Sequence, residues 1–308
     1  MMARTLALLA VLVVLGNCRK EPAPATTPPP RDPSTWPADT AQVARGGYVA
    51  AISGCVLCHT PMKDGAPDRT RLLAGGLEEK LGRGVWRSPN ITPDRATGIG
   101  AWTDAQLIAA IRIGLRPDGT GLLPIMPYPY YHHMTDADAR AVVAFLRAQQ
   151  PIAHEVRRSE DLDLRPVELP EPVGNVDPTD DAWAHGEYLA NLMHCGACHT
   201  PQEGPHARAT FAGGMPFVLP DGRTIFSANI TSDPDTGIGR WSEDQLIRTL
   251  RTMKTPSGAP IEGPMAMYAG TWSQLDDRDA RALAVYVKSV PPVRNKIGER
   301  HPAVTRKP

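Results

Sequence analysis

Apolar positions recur at helical spacing in six stretches, arranged as two sets of three. In the first set, Tyr48 and Ile52 stand four residues apart just ahead of a cysteine pair, and Tyr188 and Leu192 repeat that placement in the second. The next stretch carries Leu107, Ile108 and Ile111, matched by Leu246, Ile247 and Leu250. Thr103 and Gln106 precede the first of these, and Ser242 and Gln245 the second. A hydroxyl followed three residues later by Gln is a capping box, so each run predicts a helix with a defined start. The last stretch of each set begins at Thr135 or Asp276 and presents Val142, Val143 and Leu146, or Leu283, Tyr286 and Val287. Pro151 and Pro291 follow, where a helix cannot continue. No run alternates for long enough to predict a sheet. The 32 prolines and 27 glycines of the 308-residue chain gather between the helical runs, which predicts long loops wrapped around something.

The two sets are an internal repeat. "SPNITPDRATGIGAWTDAQLIAAIR" at 88–112 pairs with "SANITSDPDTGIGRWSEDQLIRTLR" at 227–251, and "ARGGYVA" at 44–50 pairs with "AHGEYLA" at 184–190. Residues 40–151 and 180–293 are thus read as two domains, 152–179 as a charged, Pro-rich surface linker and 294–308 as a tail. Gly98, Gly100, Gly237 and Gly239 in the "TGIG" turns are expected to take positive φ.

The amino terminus, 1–17, has an arginine followed by an unbroken apolar run from Leu6 to Leu15. That is too short to span a bilayer and fits a signal peptide. "LGNC" resembles a lipobox, which marks Cys18 for lipidation, and the Pro-rich stretch 18–39 reads as a tether. The expectation is an exported protein on the periplasmic side of a bacterial membrane, held by a lipid anchor. Formal charge is zero, with no basic stripe for nucleic acid.

The other four cysteines fall in two C-x-x-C-H clusters: Cys55, Cys58 and His59, then Cys195, Cys198 and His199. A zinc site wants four ligands and each cluster offers three. A redox dithiol expects a βαβ setting, which is missing. C-x-x-C-H is the attachment motif of c-type haem: two thioethers fix the porphyrin and the histidine binds iron. Two such motifs in register predict two covalently bound haem c groups. They also supply the large apolar bodies that a chain with 6% aromatic residues lacks.

The sixth iron ligand decides between an electron carrier and an enzyme. Asn90 and Asn229, Trp102 and Trp241, and Gly119 and Gly258 are all 139 residues apart, and Met126 maps in that register onto Met265. The third helix is offset by 141 (Asp138 to Asp279), so Met267 is the alternate. His132 and His133 have no counterparts and are read as solvated. The expected axial pairs are His59 with Met126 and His199 with Met265.

These residues resemble class I cytochrome c domains, and the "NIT-x-D-x-x-T-G-I-G-x-W" stretches resemble the cytochrome c subunits of bacterial membrane-bound alcohol, aldehyde and gluconate dehydrogenases. Those subunits commonly carry three haems, and this chain has two motifs. The resemblance implies an all-α fold of two tandem class I cytochrome c domains, each with three main helices and loops around a covalent haem. By analogy, Asn90, Trp102, Asn229 and Trp241 would contact haem propionates, with Arg83 and Arg223 as further candidates. No general acid, nucleophile or substrate cleft is visible. The implied function is single-electron transfer between a periplasmic donor, such as a dehydrogenase, and the respiratory chain. The alternative is a dihaem enzyme such as a peroxidase or a thiosulfate-oxidising cytochrome.

Overall fold

The computed structural model describes residues 39–64, 66–166, 168–169 and 181–298. The signal segment, Cys18 and the tether lie outside the described residues, as do most of the second half of the linker and the last ten residues.

Domain 1 runs α1 (Thr40–Ile52), α2 (Cys55–His59), a hairpin of β1 (Met62–Lys63) and β2 (Ala66–Pro67), a hairpin of β3 (Glu78–Leu81) and β4 (Gly84–Arg87), α3 (Asp104–Ile113), α4 (Tyr128–Tyr131) and α5 (Asp136–Arg147). Domain 2 runs α6 (Ala182–Leu192), α7 (Cys195–His199), a hairpin of β5 (Pro216–Val218) and β6 (Thr224–Phe226), α8 (Glu243–Thr252), α9 (Ala269–Trp272) and α10 (Asp277–Ser289). Helices dominate, as the periodicity predicts. The expectation of no sheet is corrected only by these two-stranded hairpins, whose strands of two to four residues are too short to show alternation.

The helix starts follow the sequence rules. Thr103 and Ser242 each accept from the backbone N–H three residues on, while Gln106 and Gln245 accept from the cap N–H in return. In each domain the first helix crosses the last, α1 on α5 and α6 on α10. Glycine makes that crossing possible. A Cβ at Gly46 would lie 1.8 Å from the Ala141 carbonyl oxygen, and one at Gly186 2.0 Å from that of Ala282.

The "TGIG" glycines need a different explanation from the one expected. None of the four has positive φ. They are there because the chain doubles back on itself: a Cβ at Gly98 or Gly237 would sit 2.2 or 2.4 Å from the carbonyl oxygen of Thr92 or Thr231. Steric room, rather than a left-handed backbone, excludes a side chain.

The two domains join about an approximate two-fold relation. Tyr48 of α1 donates to Asp279 of α10 at 2.6 Å, and Tyr188 of α6 donates to Asp138 of α5 at 2.6 Å. The same hydroxyls accept from the backbone N–H of Asp276 and Thr135, which cap the partner helices. Each aspartate is also held within its own domain, Asp138 by both arms of Arg45 at 2.7 Å and Asp279 by His185 at 2.7 Å. These charge-assisted bonds fix one register between the halves.

The segment read as a linker is packed against domain 1 over 152–166. Val85 and Glu160 exchange backbone hydrogen bonds, Gly121 donates to Leu164, and Arg87 donates its backbone N–H to Ser159. Among the described residues, the chain after α10 in domain 2 repeats the start of this strap. Asn90 donates to the carbonyls of Ile152 and His154, and Asn229 to those of Val293 and Asn295. His154 then reaches the Ala74 carbonyl and Asn295 that of Ala212. The repeat therefore extends past the expected domain ends at 151 and 293.

Candidate functional site

Both attachment motifs form a single helical turn after a left-handed residue, Gly54 (φ +77°) or His194 (φ +41°). The turn brings the two cysteines and the histidine to one side. Nδ1 of His59 lies 2.9 Å from the Pro89 carbonyl oxygen, and Nδ1 of His199 2.7 Å from that of Ala228. A carbonyl only accepts, so Nδ1 carries the hydrogen and Nε2 keeps a free lone pair, the form a metal-binding imidazole needs. Burial pushes both imidazoles below their ordinary pKa and favours this neutral form.

The thiols point the same way. Burial pushes Cys55 and Cys195 up to about 12, and raises Cys58 and Cys198 as well. A catalytic dithiol lowers its nucleophile's pKa, so this is the opposite environment. Among the described residues no three His, Cys, Asp or Glu converge as a group that could hold a bare metal ion.

In domain 1 the motif opens on a cavity of about 340 Å³ lined by Cys55, His59, Trp102, Leu107, Ile111, Val142 and Leu146. Met126 lines the same cavity, as does the fully buried Met134. A slot walled mainly by apolar side chains, with an oriented imidazole and a thioether among them, fits a haem: it offers iron one nitrogen and one soft sulfur ligand, and the porphyrin an apolar surface. In domain 2, Met265 packs half-buried against the core, whereas Met267 is 53% exposed. His132 differs from its expectation, being buried, with its ring edge-on to His133.

The rim residues are only partly those expected. The amide nitrogen of Asn90 is taken by Thr97, Ile152 and His154, and its oxygen accepts from Thr92; Asn229 is used identically by Thr236, Val293, Asn295 and Thr231. These buried amides tie the loop to the strap, and their N–H groups meet protein acceptors. Trp102 does line the cavity, and Trp241 packs against the core. Arg83 is exposed in the β3–β4 turn, and Arg223 pairs with Asp221 and Glu262. The guanidiniums on the domain 1 cavity are Arg87, Arg116, Arg157 and Arg158, which sequence reasoning missed. Two come from the strap, whose placement no periodicity signals.

His194 acquires a place of its own. Its Nε2 lies 3.1 Å from the Tyr268 hydroxyl, and its ring lies between those of Tyr131 and Tyr268. Tyr268 stacks on Trp272, whose indole donates to the Ile52 carbonyl at 3.1 Å. A Cβ at Gly54 would come 2.9 Å from the Tyr268 hydroxyl. The residues that open the two attachment turns thus meet at the domain junction.

The sequence matches the cytochrome c family model twice, over residues 43–150 and 183–291. Among curated relatives, the cytochrome c subunit of a quinone alcohol dehydrogenase from Gluconobacter oxydans is 37% identical over 276 residues, covering 83% of this chain and 56% of that protein. The cytochrome subunit of fructose dehydrogenase from Gluconobacter japonicus is 34% identical over 304 residues, covering 92% of this chain and 58% of that one. A diheme cytochrome c-type protein of Cereibacter sphaeroides is 31% identical over 284 residues, covering 87% of this chain and 92% of the relative. The chain spans a little over half the length of the dehydrogenase subunits it matches. Two family domains and two attachment motifs agree: the chain belongs to the cytochrome c family, with two covalently bound haem c groups.

Proposed function

We propose that this protein is an exported dihaem cytochrome, closed on both irons by methionine, that passes single electrons from a periplasmic dehydrogenase toward the respiratory chain. The observation that carries this reading is the domain 1 cavity, where His59 with its Nδ1 hydrogen engaged and Met126 line one apolar space. Cys55 and Cys58 would hold one haem and Cys195 and Cys198 the other. His199 and Met265 repeat the axial pair, with Met265 favoured over Met267 by burial. Bound haem supplies a one-electron couple; the chain's residues orient the imidazole, exclude water and present the thioether. Trp102 and Trp241 are the indoles proposed to donate to propionates.

A dehydrogenase partner is supported by relatives named as cytochrome subunits of alcohol, fructose and gluconate dehydrogenases. No helix among the described residues is long and apolar enough to cross a membrane. Membrane attachment is proposed to run through a lipid on Cys18.

A near-infrared spectrum of the oxidised holoprotein tests the ligand assignment. The methionine-to-iron charge-transfer band should be present at two haems per chain and should halve in Met126→Ala and in Met265→Ala. A high-spin band in the unaltered protein, or turnover of hydrogen peroxide, would sink the carrier reading.

A further inference from the structure

Three arginines on the domain 1 cavity wall, Arg87, Arg116 and Arg157, have uncharged counterparts in domain 2. The equivalences are fixed by matching hydrogen bonds. Arg116 donates its N–H to the Thr120 carbonyl and accepts from Gly119, and Thr255 does the same with Ala259 and Gly258. Arg87 ends the hairpin before Ser88 just as Phe226 does before Ser227. Where domain 1 has Arg87 and Arg116, domain 2 therefore has Phe226 and Thr255, and Gly298 stands where the strap has Arg157.

The arginines are not equal. Arg87 is buried but neutralised twice, by Glu78 at 2.6 Å and Glu160 at 3.0 Å. Arg157 and Arg158 are exposed, and Arg158 pairs with Asp118 at 2.9 Å, so solvent and partners screen them. Arg116 is half-buried on the cavity wall, with no carboxylate within ion-pair distance among the described residues. Burial and the neighbouring Arg158 push its pKa down, yet a guanidinium stays charged at any physiological pH. Among the described residues close in sequence to Thr255 and Phe226, Lys254 and Arg223 are exposed, and Arg223 is bound to Asp221 and Glu262.

Reduction removes one positive charge from a haem, so a fixed cation on a dry pocket wall favours the reduced form. We propose that the domain 1 haem has the higher reduction potential, that Arg116 sets much of the gap, and that electrons run from domain 2 to domain 1. With haem bound, one electron would pass from the group held by Cys195, Cys198 and His199 to the one held by Cys55, Cys58 and His59, and no bond or proton would move. This rests on the reading of both pockets as haem sites.

A potentiometric titration of the full-length holoprotein, followed in the visible band, tests it. Arg116→Gln should lower the higher midpoint and leave the lower one in place. Arg116→Lys should retain the parent value, and Thr255→Arg should raise the lower midpoint and narrow the gap. An unmoved higher midpoint in Arg116→Gln, or a shift of the lower one instead, at two haems per chain and unchanged visible spectrum, would overturn the proposal. Fewer than two haems in the parent chain, counted as pyridine haemochrome, would overturn the underlying haem reading before any midpoint is measured.

Discussion

Domain 1 and domain 2 share their helices, caps, attachment turns and buried asparagines, and differ at the rim. Domain 1 wears a strap that adds a backbone pair at Val85, seats Arg158 and Ser159 beside Arg87, and contributes Val156 and Leu164 to the cavity wall. Domain 2 has the beginning of that strap, through Asn295, and an exposed hairpin carrying Val218 and Phe226. Duplication thus reproduces the parts that hold the iron and leaves the parts that tune it free to diverge. The comparison treats the domains as equivalent inside and different outside, and it can be broken at either level.

The largest effect should follow from removing one attachment. In Cys55→Ser/Cys58→Ser, haem content should fall from two per chain to one and the helical signal of domain 1 should be lost, because folding is coupled to the group that fills the cavity. Cys195→Ser/Cys198→Ser should do the same to domain 2. Haemochrome assay and circular dichroism read both. A domain that keeps its full helical signal without haem would show that its own side chains suffice for a core.

Next in size are the asparagines, where the comparison predicts equality. Asn90→Ala and Asn229→Ala each strip several carbonyl and hydroxyl groups of a buried partner, at a cost of about 3 kcal/mol. Urea unfolding of the holoprotein should give the same loss for both within about 1 kcal/mol. A much larger loss for Asn90 would mean that it anchors the whole strap rather than the turn alone.

What the sequence made legible follows from range. Helix starts at Thr103 and Ser242 rest on partners three residues away, and the attachment motifs on partners four away, so pattern alone finds them. The Met126–Met265 pairing came from the repeat register. The strap did not show, because its backbone bonds join distant residues, Val85 with Glu160 and Gly121 with Leu164, through groups that every non-proline residue carries. The hairpins are too short for a period to register. Tyr48 and Tyr188 were visible as a repeat pair, but their place four residues before Ile52 and Leu192 reads as core. Their hydroxyls instead cross to the other domain, and nothing local encodes that crossing. The asparagines stood out in the repeat, but their carbonyl partners did not, since those lie more than 60 positions away.

The smallest expected effects lie at the junction, where the comparison predicts inequality. Tyr188→Phe removes a bond from Asp138, which keeps two bonds from Arg45. Tyr48→Phe removes one from Asp279, whose other partner is the His185 imidazole. Loss of a hydrogen bond to a carboxylate costs about 1–2 kcal/mol, and the Tyr48 variant should stand at the upper end because its aspartate keeps one imidazole bond where Asp138 keeps two from a guanidinium. Acid separates them further. Burial pushes Asp279 up, but the bonds from His185 and Tyr48 outweigh it and hold the carboxyl below its ordinary value. A depressed folded-state pKa contributes stability that is complete above the unfolded value and is lost as pH falls through the folded one, here below about pH 4. In Tyr48→Phe that folded value should rise toward the ordinary one, so the variant has less stability left to lose and its urea midpoint should depend less on pH in this window than the parent's. Equal acid slopes for the two proteins would remove Tyr48 from the group that holds the Asp279 charge, and leave the junction as symmetric in energy as it is in outline.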